Sequence, residues 1–212
     1  MTTDQLAREG RVWLRNAVTK DDLAKLNLTF SGQRPGARID HFSLPPSVAA
    51  SIGSLWPRHA PVRVVAFEKT GAVNWSVPWH QDRVITVADR HDVSGFTNWS
   101  RKAGTWHCEP PLDVLAEMLF VRVHLDRNDA DNGAMEIALG SHKTGLINST
   151  SAADAAESYP VELCTAEPGD ILVLSMLMLH RSRPSTSMQP RRALRIDFSD
   201  QVLPAPLRWK ML

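Results

Sequence analysis

Cysteine is scarce in this sequence, since the 212 residues include only Cys108 and Cys164. Two cysteines cannot build the disulfide framework of a small secreted domain, so we expect two reduced, packed thiols. Tyrosine occurs once, and 11 glycines and 14 prolines are too few for a collagen-like or low-complexity chain. A hydrophobic fraction of 43% excludes intrinsic disorder and is typical of one globular domain, here residues 1–212.

Neither charge is in marked excess, because 24 Lys and Arg residues face 23 Asp and Glu residues. Without a basic field to hold a phosphate backbone, we do not expect a nucleic-acid partner. Long apolar runs are also missing: the longest, 171–179, is far short of the ~20 residues that cross a bilayer. Residues 1–15 are charged and lack the apolar core of a signal peptide. We therefore expect a cytoplasmic protein, monomeric or homodimeric, that acts on a small molecule without a membrane.

Short strands dominate the pattern after a helical start, where Thr19 and Asp22 resemble a capping box that opens a helix. Alternating hydrophobic residues predict strands at 62–67, 119–125, 161–165 and 192–198, separated by turns rich in Gly, Asn and Pro. Many short strands with little helix indicate a sandwich or a barrel, with its core at about 62–199. Residues 83–111 lack this periodicity and predict a long loop over a functional site.

Paired histidine and acid residues are the first chemical signal. On a strand, residues i and i+2 project to the same face, so a His-x-Asp/Glu pair supplies two metal ligands together. The sequence has three such pairs, where chance gives roughly one: His80 with Asp82, His107 with Glu109, and His124 with Asp126. The second pair runs into two prolines, which are poor strand residues. The third lies on a good strand, whose polar residues also fit an exposed face.

A third metal ligand has to come from elsewhere in the chain. His180 follows the apolar residues 170–179, where a buried strand would deliver a side chain into a cavity. The turn-rich residues after it lead to Arg191, so a hairpin would bring Arg191 beside His180. Arginine binds a planar carboxylate with two parallel hydrogen bonds. Arg192 is a rival, but it shares strand parity with an apolar row, whereas Arg191 does not.

These residues stand in an order that resembles the phytanoyl-CoA hydroxylase-like family of Fe(II)- and 2-oxoglutarate-dependent dioxygenases. The resemblance covers about 62–199 and depends on the joint order of several short motifs: Pro78-Trp79-His80-Gln81-Asp82, Asn132-Gly133, Gly140-Ser141-His142, Pro168-Gly169-Asp170, His180-Arg181-Ser182 and Arg191. It implies a mainly β, double-stranded β-helix (jelly-roll or cupin-like) core with short N-terminal helices and a long loop over the active site. It also implies an iron site formed by His80, Asp82 and His180.

The same resemblance implies that Arg191 and Ser182 bind the far carboxylate of 2-oxoglutarate. Arg122 takes a strand position beside the cosubstrate that is often aromatic in relatives. It is predicted as a further cosubstrate residue, and the alternatives are contact with an anionic substrate or with neither molecule. With O2 as the second cosubstrate, the implied reaction hydroxylates a small polar or anionic molecule and releases succinate and CO2. Four residues near the predicted loop are candidates for binding that molecule: Arg83, Trp99, Lys102 and His107.

Two other readings stay open from the sequence. A non-oxidative cupin-type metalloenzyme, such as an isomerase or a lyase, uses similar metal ligands but does not need Arg191 at this spacing. A catalytically silent binding protein of the same fold would release no succinate under any condition.

Overall fold

The computed structural model describes residues 2–30, 36–39, 41–70 and 73–210. The α-helices of this part of the chain are Thr2–Glu9 (α1), Lys20–Phe30 (α2), Pro46–Gly53 (α3), Leu112–Ala116 (α4) and Ala152–Glu157 (α5), with a short 3-10 helix at Ser141–Thr144. The strands are Arg11–Leu14 (β1), Ala37–Arg38 (β2), Ala60–Lys69 (β3), Val77–His80 (β4), Ile85–Val87 (β5), Thr97–Lys102 (β6), Thr105–Glu109 (β7), Leu119–His124 (β8), Met135–Ala138 (β9), Val161–Leu163 (β10), Ile171–Ser175 (β11), His180–Ser182 (β12) and Arg191–Ser199 (β13).

Three antiparallel sheets make up the fold. The largest has the strand order β1-β11-β8-β13-β3-β2, and a four-stranded sheet with the order β10-β9-β12-β4 lies across from it. A smaller sheet has the order β5-β7-β6. Two facing antiparallel sheets are the jelly-roll arrangement that the sequence predicts. None of the helices in the described residues is long and apolar enough to cross a membrane.

Strand β8 shows how the large sheet is buried on both faces. Its residues Val121 and Val123 pack with α2 and α3 on the outer face, in one hydrophobic cluster with Leu26 and Ile52. Its other face carries Phe120, Arg122 and His124 into the space between the two sheets, and all of β8 is buried. The interpretation of Arg122 and His124 as an exposed polar face is therefore wrong, because helices cover the outside and the opposite sheet covers the inside.

The chain crosses from the large sheet to the four-stranded sheet between β11 and β12. We expected His180 to end the apolar strand, but β11 stops at Ser175 and His180 opens β12 in the four-stranded sheet. The expected hairpin between His180 and Arg191 is also absent among the described pairings: β12 pairs with β4 and β9, and β13 with β3 and β8. The turn-rich residues between them return the chain to the large sheet, so the two side chains meet across the interior.

The prediction of one long loop at residues 83–111 is also wrong. Instead, these residues contain the three strands β5, β7 and β6. A tight turn at Ala103 and Gly104, both at positive φ, joins β6 to β7 and matches the right-handed twist of a hairpin. Ile85, Phe96 and Cys108 on this sheet pack into the interior cluster, which orders the segment. The predicted strands at 62–67, 119–125, 161–165 and 192–198 correspond to β3, β8, β10 and β13.

Candidate active site

A cross-strand pair places two histidines side by side. His80 ends β4 and His180 opens β12, and these two residues are register partners in the four-stranded sheet. Their ring centroids are 4.2 Å apart. Asp82 follows His80 by two residues, and its Oδ2 lies 3.3 Å from His180 Nε2. One ligand atom from each of the three residues lies within 4.8 Å of the others, which fits a single metal ion.

Backbone carbonyls set the orientation of both imidazole rings. His80 Nδ1 lies 2.8 Å from the Pro78 carbonyl oxygen, and His180 Nδ1 lies 2.9 Å from that of Met178. An Nδ1–H that donates to a carbonyl leaves the Nε2 lone pair free to bind a metal ion. Burial, followed by the neighbouring His180, lowers the pKa of His80, which keeps this ring neutral. Two neutral imidazoles and one carboxylate are the ligand set of non-heme Fe(II) oxygenases, so the residues present fit iron.

Asp82 is held in turn by a buried arginine. The Arg195 guanidinium forms an ion pair with Asp82, and its Nε donates to Asp197 Oδ1 at 2.7 Å. Arg63 forms a further ion pair with Asp197. Burial alone would raise the pKa of Asp82, but Arg195 and His180 outweigh it and hold this pKa well below its ordinary value. The carboxylate is therefore ionised and fixed in place before any metal binds.

A cavity of about 260 Å³ opens beside the three ligands. It lies between the two facing sheets, and both contribute side chains to its wall. Its lining residues are Phe67, Trp75, Val77, His80, Asp82, Phe120, Arg122, Met135, His180, Arg181, Ser182, Arg191 and Arg195. Asp82 is the one carboxylate in this lining, and four arginines accompany it.

The cavity wall on the large sheet carries buried cations. Arg191 is 4% exposed, and its cross-strand partner Lys69 is 1% exposed. Arg122 is 6% exposed and is the register partner of Arg195. Arg191 Nε has no hydrogen-bond partner in the described structure. Burial lowers the pKa of Arg191 to about 10, and burial together with Arg191 lowers that of Arg122 to about 9, so both stay protonated at neutral pH.

The comparisons with known proteins agree with this geometry. The family model described as "Phytanoyl-CoA dioxygenase (PhyH)" matches residues 6–193. The chain belongs to this family. No curated protein sequence matches it significantly.

Solved structures of phytanoyl-CoA dioxygenase-like proteins share the fold at low identity. The α-ketoglutarate-dependent epimerase SnoN from nogalamycin biosynthesis is 12% identical, with a TM-score of 0.65 over 95% of this chain and 82% of that one. EctD from S. alaskensis with bound Fe is 15% identical, with a TM-score of 0.61 over 92% and 74%. HygX from Streptomyces hygroscopicus with nickel and 2-oxoglutarate is 13% identical, with a TM-score of 0.60 over 94% and 86%. These structures bear out the predicted double-stranded β-helix fold.

The family's cosubstrate residues predicted from the sequence all line the cavity. Arg191, Ser182 and Arg122 surround it together with the three metal ligands. Ser182 is the register partner of Met135 on β9, so its side chain lies beside that cavity residue. Arg192 pairs with Asp126 at 2.7 Å instead, away from the cavity lining. Of the two adjacent arginines, Arg191 therefore lines the cavity and Arg192 does not.

The four predicted substrate-binding residues are not brought to the cavity. Arg83 forms an ion pair of 2.8 Å with Glu109, and Lys102 is exposed at the end of β6. Trp99 packs on Trp106 at 6.4 Å between ring centroids. His107 is 1% exposed, with Nδ1 2.9 Å from the Thr105 carbonyl. None of the four belongs to the lining residues, because this segment folds as its own sheet.

Sequence reasoning missed two residues at the site. Arg195 contacts Asp82, and Lys69 is the register partner of Arg191 on β3. A signal existed for Arg195, since it shares strand parity with Arg191 and follows it by four residues. For Lys69, the signal was a lysine at the end of an apolar strand, a position that is equally typical of an exposed strand end.

Proposed function

We propose that the protein is an Fe(II)- and 2-oxoglutarate-dependent dioxygenase that hydroxylates a small polar or anionic molecule and releases succinate and CO2. One observation carries the proposal: a single cavity has a His80–Asp82–His180 triad at the four-stranded sheet and the buried Arg191 on the large sheet. A dicarboxylate with a keto group beside one carboxylate matches both ends of this cavity at once.

The triad would hold the iron, and Fe(II) supplies the activation of O2 when it is bound. His80 and His180 present Nε2 because their Nδ1 atoms face backbone carbonyls. Asp82 is ionised, so no proton has to leave before the carboxylate binds a cation. Two histidines and one carboxylate leave further positions for the keto acid and for O2.

Arg191 would bind the far carboxylate of the cosubstrate. Its guanidinium is protonated, buried and without an ion-pair partner among the described residues, and its Nε still lacks an acceptor. A carboxylate there would form charge-assisted hydrogen bonds and compensate a buried charge. Ser182, at the same cavity, offers a hydroxyl to the same group.

The remaining walls keep water from the reacting groups. Phe67, Phe120 and Met135 line the interior, and Trp75 lies on the side of Lys69. The volume of about 260 Å³ is below the ~300–1,000 Å³ typical of ligand pockets. A cavity of this size, part of which the cosubstrate takes, favours a small substrate that is bound close to the metal.

The test is anaerobic addition of Fe(II) and then 2-oxoglutarate to metal-free protein. We expect the weak visible charge-transfer band of an Fe(II)–keto acid chelate, and succinate release once O2 is admitted. Asp82→Ala should lose iron binding and the band. Arg191→Gln should weaken 2-oxoglutarate binding about tenfold or more while iron still binds.

Arg192→Gln is the matched control, because this neighbouring arginine pairs with Asp126 outside the cavity lining. It should leave both affinities unchanged. Bound iron with no band at saturating 2-oxoglutarate would reject the dioxygenase mechanism and favour a non-oxidative metalloenzyme of the cupin type. If the band and succinate do appear, the mass of the product separates hydroxylation from desaturation or epimerisation.

A further inference from the structure

The cavity holds more buried positive charge than the cosubstrate can neutralise. Lys69, Arg122 and Arg191 are 1%, 6% and 4% exposed. None of them forms an ion pair with an Asp or Glu of the described structure. After burial, neighbouring cations lower two of the pKa values: Arg191 and Arg122 lower that of Lys69, and Arg191 and Arg195 lower that of Arg122. Arg195, in contrast, is compensated by Asp82 and Asp197.

Lys69 adds to this surplus although it is not one of the lining residues. Its Nζ donates to the Arg183 carbonyl at 2.6 Å and lies 5.0 Å from the centroid of the Trp75 ring. Burial, followed by Arg191 and Arg122, lowers its pKa to about 8, so it is largely protonated at neutral pH. A buried charge without a counter-ion is unfavourable even where it is hydrogen-bonded, which makes a bound anion favourable at this end.

The far carboxylate of 2-oxoglutarate supplies one negative charge, and its other carboxylate faces the metal. One carboxylate fits the fork of one arginine, and Arg191 already provides that fork. Arg122 and Lys69 then remain without counter-charge. Arg122 is linked to the metal ligands through its register partner Arg195, which contacts Asp82.

We propose that Arg122, with Lys69 as a neighbouring cation, forms a second anion subsite that binds an oxyanion group of the primary substrate. This inference rests on the proposed function and narrows its substrate to small acids that carry a carboxylate, sulfonate or phosphate group. An oxyanion on Arg122 holds the adjacent carbon atoms near the metal ligands. The subsite thus removes Arg122 from the cosubstrate residues and makes it a substrate-binding residue.

Sulfate serves as the probe for this subsite. Calorimetry would follow its binding to the protein loaded with Ni(II) and saturating 2-oxoglutarate, at low ionic strength. We expect one sulfate per chain. Arg122→Gln should weaken sulfate about tenfold or more and change the affinity for 2-oxoglutarate much less. Arg191→Gln should weaken 2-oxoglutarate instead, and Arg192→Gln should change neither.

Arg122→Lys guards against a folding defect, since it keeps the charge and should keep sulfate binding. Two results would overturn the subsite: no sulfate bound by the wild-type ternary complex, or a loss of 2-oxoglutarate affinity in Arg122→Gln equal to that in Arg191→Gln. A wild-type protein that fails to bind 2-oxoglutarate rejects the proposed function alone. Sulfate titrated into metal-free protein then decides: sensitivity to Arg122→Gln supports the subsite, and insensitivity overturns it.

Discussion

Arg195 joins the metal site to the core of the large sheet, and its removal should be costly. Its guanidinium bridges Asp82 and Asp197, lies 4.1 Å from the Phe120 ring centroid, and donates to Met176 Sδ at 3.4 Å. The side chains of Arg195 and Asp197 are 6% and 1% exposed. Arg195→Met keeps much of the volume but leaves two carboxylates without this cation.

Removing one partner of a buried ion pair costs about 3–5 kcal/mol of unfolding free energy. Asp197 keeps Arg63, and Asp82 is 24% exposed, so both retain some compensation. We therefore expect the lower end, about 3 kcal/mol. Arg192→Met on the same strand removes a pair whose side chains are both 19% exposed, which should cost about 1 kcal/mol or less.

Urea unfolding of the metal-free variants at pH 7, followed by circular dichroism, measures this difference directly. In thermal unfolding of the same variants, the melting temperature should fall by roughly 6–12 °C in Arg195→Met and by a few degrees at most in Arg192→Met. Arg195→Lys should recover part of the loss, because it restores one charge without the fork. Equal unfolding free energies for Arg195→Met and Arg192→Met would refute the argument that Arg195 compensates the buried carboxylates.

Two further predictions concern the core. Burial and Arg122 lower the pKa of His124 to about 3, so the unfolded chain gains a proton below about pH 6.5 that the folded chain refuses. The unfolding free energy should therefore decrease as pH falls from 6.5 towards 3. Urea titrations at several pH values should show a smaller decrease in His124→Leu than in the wild-type protein. An equal dependence of the unfolding free energy on pH in the two proteins would contradict this role of His124. Gly133 has φ +69°, and a Cβ there would lie 2.4 Å from the Arg183 carbonyl oxygen. Gly133→Ala should lose about 2–4 kcal/mol, against about 1–2 for Gly104→Ala, which has φ +80° and open space; equal losses would exclude the clash.

Of the 13 strands in the described residues, periodicity predicted β3, β8, β10 and β13, and the apolar run 171–179 pointed to β11. Alternation survives in a strand such as β8 even where both of its faces are buried. In β8 the hydrophobic Val121 and Val123 alternate with Phe120 and Arg122, and the two sets do face opposite ways. What periodicity could not show was the cover on each face. The helices that bury the outer face come from residues before position 62, where few signals are present beyond the cap at Thr19, whose Oγ1 accepts from Asp22 N at 3.3 Å.

The metal ligands could be selected from the sequence, but their spatial arrangement could not. Local spacing predicts that His80 and Asp82 lie together, since two residues on one short segment stay close in any strand-like conformation. The approach of His180 to Arg191 depends on two sheets packed face to face, a long-range arrangement that a hairpin model misses. The sheet formed by β5, β6 and β7 was missed for a similar reason: its irregular pattern hides one hairpin turn, at Gly104.

The near balance of charge over the whole chain conceals an imbalance at the site. Most acids near the arginines are already engaged elsewhere: Glu136 pairs with Arg181 and Arg183, and Asp170 pairs with Arg15. A chain with as many acids as bases could have placed one beside Arg122, which would have lowered the cost of burying that guanidinium. Without such partners, the cations of the cavity lower the stability of the free protein, and a bound anion offsets this loss. The positions where the fold withholds a counter-ion therefore indicate where its ligands supply one.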